Sequence, residues 1–213
     1  MFELLAAGGQ GCAACERAVE TVAEGLEGRL CLRCREGLPQ GLSVVSSLPE
    51  FIDAAWSLGP YSGLLGALLR RAKYGSRDTL VHAVAGLLVS HVAHAALPRF
   101  QAVATVPSGV WRRLARGFDT VQILARGLPT VVEAPLRPVL VRRGGQTQAG
   151  KARDGRAENV RGAFAVRAGS EVAGDWLLVD DVLTTGATAS ACATALREAG
   201  ARSVSLLVVA SRG

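Results

Sequence analysis

From Phe51 onward, apolar residues recur in short runs separated by longer stretches with helical spacing. Phe51 to Leu58 reads as a strand, closed by Gly59-Pro60, and Ala102 to Val106 reads as another, ended by Pro107. Leu136 to Val141, Ala163 to Val166, Trp176 to Val179 and Ser203 to Ala210 complete the strand set. Between them, Leu64, Leu65, Leu68, Leu69 and Ala72 fall on one face of a helix spanning Tyr61 to Tyr74, which Gly75-Ser76 stops. Asp78 caps a second helix that runs to about Ala96, with Pro98 beyond it. Arg116 to Leu128 and Ala189 to Ala199 are the other helices. Ser43 to Glu50 is a polar connector, and Arg142 to Arg161, almost without apolar residues, is expected to be a long mobile loop. This alternation predicts an α/β fold: a largely parallel sheet covered on both faces, with ligands at the carboxyl ends of the strands.

One stretch carries most of the candidate chemistry. After Trp176–Val179 come two acids, Asp180 and Asp181, then Thr184, Thr185, Gly186, Ala187 and Thr188, then a helix. Backbone N–H groups at a helix start, with the dipole behind them, suit a phosphate. Gly186 lets the backbone approach it, and the threonine hydroxyls add donors. Asp180 and Asp181 can accept hydrogen bonds from vicinal hydroxyls or hold a hydrated Mg²⁺. A phosphate beside a diol describes a ribose 5-phosphate. The string is not a P-loop, because no Gly-Lys-Ser/Thr follows a four-residue gap.

The first forty residues carry different chemistry. Cys12-Ala-Ala-Cys15 and Cys31-Leu-Arg-Cys34 form two knuckles separated by fifteen residues, the spacing of a structural four-cysteine zinc site. A segment this short has little core of its own, so metal binding would supply its folding energy. Disulfides are the competing reading, disfavoured in a cytosolic protein. Cys192 stands apart in the last helix and reads as a small buried residue. The expected division is a zinc-binding module over 1–40 and a ligand-binding domain over 51–213.

Composition agrees with a globular protein: 213 residues, 49% of them hydrophobic. No charge-free apolar run reaches the roughly 18 residues that span a bilayer. Met1 to Gln10 holds an acid and no base, unlike a secretory signal, so the expected location is the cytoplasm. The net charge of +6 is uneven. Between Arg99 and Arg167 there are thirteen basic residues and four acids; the remainder is slightly acidic. A basic middle suits an anionic ligand such as pyrophosphate, or nucleic acid. An Arg-rich solvated surface fits as well, since Lys73 and Lys151 are the only lysines. Arg112, Arg113 and Arg116 follow a strand end, where guanidinium forks meet phosphate oxygens in pairs. Lys73 ends a helix, where a cation also suits the dipole. Gln148, Arg156 and Asn159 belong to a polar arm able to close over a ligand.

The segment Trp176–Thr188 closely resembles the phosphoribosyl pyrophosphate (PRPP) motif of type I phosphoribosyltransferases: four apolar residues, two acids, two variable positions, then Thr-Thr-Gly-x-Thr. The order of the remaining motifs is similar to the ComF family of competence proteins. Those motifs are the cysteine pairs, Tyr61-x-Gly63…Lys73-Tyr74, Val106-Pro107…Arg116-Gly-Phe118, and Gln148…Arg156…Asn159-Val-Arg-Gly-Ala-Phe164. The resemblance implies a type I phosphoribosyltransferase fold with an N-terminal zinc ribbon. It also implies PRPP bound with Mg²⁺, and a cytosolic role in bringing single-stranded DNA into the cell with other uptake proteins. Asp180 and Asp181 would then hold the ribose and Thr184–Thr188 the 5-phosphate. Arg112, Arg116 and Lys73 would meet the pyrophosphate. The chain departs from that pattern at Asp119 and Thr120, where the family has Asn-Gln, and at Ser108-Gly109-Val110, which is less basic than usual.

No residue identifies a nucleophile or general base, so a transferase and a non-catalytic module contacting DNA or protein both remain open. With 5% aromatic residues, the module would rely on phosphate contacts more than on base stacking. A nucleotide-salvage or amidotransferase-like enzyme is a third reading, and no N-terminal cysteine nucleophile supports glutaminase activity.

Overall fold

The computed structural model describes residues 11–17, 19, 26, 29–74, 78–109, 117–143 and 162–212. In chain order these form α1 (Leu32–Glu36), β1 (Ser43–Val44), β2 (Ala54–Pro60), α2 (Leu64–Tyr74), α3 (Asp78–Ala93) and β3 (Ala102–Thr105). There follow α4 (Thr120–Ala125), α5 (Leu128–Val132), β4 (Leu140–Arg142), β5 (Phe164–Val166), β6 (Gly174–Leu183), α6 (Ala187–Glu198) and β7 (Ala201–Ser211). The main sheet has the order β1-β2-β7-β6-β3. Every pairing in it is parallel except the antiparallel edge strand β1. β4 and β5 form a separate antiparallel pair.

Alternation along the strands divides the core in two. Val103, Leu177, Val179, Leu207 and Val209 pack with buried residues of α2, α3, α4 and α5 on one face. Ala102, Ala104, Trp176, Leu178, Leu206 and Val208 pack on the other with α6, Leu140 and Phe164. Consecutive side chains of a strand point to opposite faces, so a strand buried on both sides must be apolar throughout. The runs at 176–179 and 204–210 meet that requirement. Cys12, Leu26 and Leu30 join the helix-rich face, and Glu16 pairs with Arg71 of α2 at 2.8 Å.

The predicted mostly parallel sheet flanked by helices is present, with altered element bounds. Phe51 is outside β2: its φ of 64° breaks the extended backbone, and it is half exposed. The motif strand does not stop at Val179, because pairing with β7 continues through Leu183. The expected strand from Leu136 shortens to Leu140–Arg142, with Leu136 making only an isolated bridge to Val103. The connector expected at Ser43–Glu50 contributes β1. The helix expected over Arg116–Leu128 begins at Thr120, where Asp119 caps it, and ends at Ala125. The loop expected over Arg142–Arg161 falls largely outside the described residues, with Arg142 itself in β4. No described helix is long and apolar enough to cross a membrane.

Candidate functional site

Because the strands from β2 to β3 are parallel, their carboxyl ends share one edge of the sheet: Pro60, Ser211, Leu183 and Thr105. The turn from β6 to α6 lies in the middle of that edge. Asp180 and Asp181 are the seventh and eighth residues of β6, so the acids are held by ladder pairing and not by a loop. The Asp181 N–H donates to Asp180 Oδ1 at 2.8 Å.

Thr184 and Thr185 are exposed, whereas Gly186 is buried and takes φ 77°, ψ −8° as the residue preceding α6. A left-handed residue is required there because the chain turns from strand to helix within three residues. Gly186 has no side chain to cap α6, so the helix opens without a side-chain cap hydrogen bond. The nearest substitute is Thr185 Oγ1, which accepts weakly from Ala187 N at 3.5 Å. First-turn amides of a twelve-residue helix without a strong internal acceptor are suited to an oxyanion. A small cavity of about 40 Å³ runs beneath this turn, lined by Asp180, residues 182 to 189, Leu206 and Val208. The structure thus brings Asp180 together with all of Thr184, Thr185, Gly186, Ala187 and Thr188. Asp181 does not line that cavity. Under α6, Cys192 is fully buried, and burial, with Asp180 nearby, pushes its thiol far up, as expected for a packing residue.

The flank at β3 answers the question raised by Asp119. Its Oδ1 accepts from Val121 N (3.1 Å), Gln122 N (3.3 Å) and Ser108 Oγ (2.9 Å). The Asp119 carboxylate therefore caps α4. Gln122 Nε2 donates to Thr105 Oγ1 at 2.7 Å, tying α4 to the end of β3. Sequence reasoning singled out neither Gln122 nor Thr105; a hydroxyl ending an apolar strand was the available signal. Arg112, Arg116, Gln148, Arg156 and Asn159 lie outside the described residues, as does the side chain of Lys73, whose backbone is in the last turn of α2. A larger cavity, about 700 Å³, lies against the outer side of α6 with Arg143, Phe164, Ser190 and Thr194 among its lining. Asp180, Asp181, Thr184 and Thr185 do not line it.

At the N-terminal end, the two knuckles converge. The Sγ atoms of Cys12, Cys15, Cys31 and Cys34 lie within 4.8 Å of one another, and Cys15 and Cys31 are 3.7 Å apart. Local backbone bonds build each turn: Glu16 N to Cys12 O (2.9 Å) in one, Cys34 N and Arg35 N to Cys31 O (3.0 and 2.9 Å) in the other. Burial pushes the Cys34 thiol up to about 12, aided by the neighbouring thiols of Cys15, Cys31 and Cys12. Burial acts the same way on Cys12, but backbone N–H groups of Cys31, Ala14 and Cys15 outweigh it and hold Cys12 at about 6. Four thiolates this close repel strongly unless a cation sits among them, and sulfur at tetrahedral spacing fits a metal ion such as zinc.

No protein-family model matches this chain, and no curated protein matches it. Among solved structures it is similar to the glutamine PRPP amidotransferase from B. subtilis complexed with ADP and GMP. That match has 25% identity and a TM-score of 0.43, over 60% of this chain and 26% of the other. It is also similar to the allosteric regulatory enzyme of purine biosynthesis, with 24% identity and a TM-score of 0.42, over 60% of this chain and 25% of the other. The chain thus spans about a quarter of the length of each.

Proposed function

We propose that this protein binds a ribose 5-phosphate of the PRPP class, with Mg²⁺, at the β6–α6 turn, as type I phosphoribosyltransferases do. The observation that supports this best is the helix start at Gly186, which has no side-chain cap, opening above a cavity that Asp180 lines. In this reading the phosphate accepts from first-turn amides and the Thr184, Thr185 and Thr188 hydroxyls. Asp180 and Asp181 accept from ribose hydroxyls or orient water around the cation. Arg112, Arg116 and Lys73 neutralise the pyrophosphate, and the arm with Gln148, Arg156 and Asn159 closes over it. Residues 1–40 form the metal-binding module, with zinc at Cys12, Cys15, Cys31 and Cys34, and 51–213 the ligand-binding domain. The resemblance to ComF proteins, together with the basic segment from Arg99 to Arg167, supports reading this activity as part of single-stranded DNA uptake in the cytoplasm.

Calorimetry with PRPP and Mg²⁺ tests the ligand. Wild type should bind, and Asp180→Asn should bind at least about tenfold more weakly, as expected for loss of a charge-assisted contact. No heat with wild type would sink the assignment. Pyrophosphate release in the presence of candidate bases separates a transferase from a binding module. Binding of a single-stranded oligonucleotide should weaken steeply between 50 and 200 mM salt if phosphate contacts dominate; absence of binding at low salt would remove the DNA-uptake role.

A further inference from the structure

Beside the β6–α6 turn, on the flank away from β3, two arginines gather over one tyrosine. Tyr61 follows the end of β2, Arg70 is in α2, and Arg212 follows the end of β7. The Arg70 guanidinium carbon lies 5.4 Å from the Tyr61 ring centroid, and that of Arg212 lies 5.1 Å from it. Backbone bonds join this group to the turn. Arg212 N donates to Leu183 O at 2.8 Å, one residue before Thr184, and Tyr61 N donates to Ser211 O at 2.8 Å. Tyr61 O and the Arg70 guanidinium close on Gly66, where a Cβ would stand 1.7 Å from Tyr61 O and 3.2 Å from Arg70 Nη1.

The arrangement has an electrostatic cost. Neither Arg70 nor Arg212 pairs with a carboxylate among the described residues, whereas Arg71, Arg197 and Arg202 each do. Two like charges held over one ring repel each other. The ring's quadrupole offsets only part of that at an exposed site. Both arginines are exposed, so salt and water can reach them, and so can a ligand. Guanidinium groups steadied on an aromatic face keep their donors oriented for an oxyanion, which binds them in a fork.

We propose that Tyr61, Arg70 and Arg212 form a second anion subsite, taking a phosphate-class group alongside the ligand of the β6–α6 turn. It rests on the reading of that turn as a phosphate site only in its location. The arginines supply the charge, and Tyr61 positions them. A ligand or ligand pair with two separated phosphoryl groups would engage both places at once.

The test titrates inorganic pyrophosphate into the full chain carrying Arg112→Gln and Arg116→Gln, which removes the pyrophosphate contacts proposed above, with and without saturating ribose 5-phosphate. This background should bind pyrophosphate in both cases. Arg70→Gln and Arg212→Gln should each weaken it roughly tenfold and leave ribose 5-phosphate affinity unchanged. Arg126→Gln, which removes an exposed charge elsewhere, should change neither. Circular dichroism of each variant confirms folding. The proposal is overturned if pyrophosphate does not bind that background, if adding Arg70→Gln and Arg212→Gln together leaves its affinity unchanged, or if Arg126→Gln costs as much. Failure of ribose 5-phosphate to bind, with the arginine effect intact, would instead count against the turn and spare this subsite.

Discussion

A Cβ on Gly186 would stand 2.8 Å from Pro49 Cγ and 2.9 Å from Pro49 Cβ. The connector before β2 therefore presses directly on the turn that starts α6. A left-handed φ of 77° adds its own penalty for any residue with a side chain, about 1–2 kcal/mol. Gly186→Ala should destabilise the protein by at least that much, read as a lower urea midpoint at unchanged slope, and should lower ribose 5-phosphate affinity. A variant with wild-type midpoint and affinity would show that the turn tolerates a side chain.

Asp119 accepts from two backbone amides and from Ser108. Asp119→Ala should cost about 1 kcal/mol, the usual loss for an N-cap. Asp119→Asn should recover most of this, because an amide oxygen caps nearly as well. If the Asn variant binds pyrophosphate more tightly than wild type, the carboxylate repels the ligand despite its capping role, and the structural account of this position is incomplete.

Asp175 accepts from Arg202 Nε at 2.9 Å, from Arg202 Nη2 and from Ser203 Oγ at 2.6 Å. The Arg202 hydrogen bonds, then Ser203, hold its carboxyl down at about 2 against an ordinary value of 3.8. A depressed folded-state value means the carboxylate stabilises the fold above pH 3.8, and that contribution fades as pH falls toward 2. Asp175→Asn should flatten this part of the stability profile. Denaturant midpoints at pH 5 and pH 2.5 check it: the wild-type advantage should be present at pH 5 and shrink at pH 2.5. Arg202 is three-quarters exposed, so the effect should be small and sensitive to salt.

The four cysteines should hold about one zinc per chain by elemental analysis. Cys31→Ser should lose most of it. A strong chelator should lower the melting temperature of wild type and leave Cys31→Ser unmoved, since metal binding to the folded state adds directly to stability. A zinc-free wild type with the same melting temperature would remove the metal from the account of this segment.

Local rules made much of this molecule readable in the chain. The run 176–179 had to be a strand buried on both faces because it contains no polar position, and Leu64 to Ala72 had to be a helix because its apolar residues follow the helical period. The cysteine pairs were legible because each knuckle is a single tight turn whose ligands are close in sequence. The 180–188 string was legible for the same reason. Reach was misjudged where long-range pairing overrode composition. The apolar run suggested a strand ending at Val179, yet ladder pairing with β7 carries β6 through Leu183. Ser43-Val44 looked like connector, yet it pairs with Ser57 and Trp56.

What no local pattern contained is who stands beside whom at the strand ends. Arg197 donates to both carboxylate oxygens of Asp53 (2.7 and 2.6 Å), and Arg212 reaches Tyr61, across most of the chain in each case. Such meetings depend on strand order and register, which arise from the summed burial of two faces of a sheet and from backbone pairing between distant segments. Spacing along the chain determined which residues suit a phosphate or a metal. Packing of β2, β7, β6 and β3 side by side determined that Asp180, the Gly186 turn and the Tyr61 arginines share one edge. In open α/β sheets ligands bind in the crevice outside the carboxyl ends of the strands, the edge these residues share.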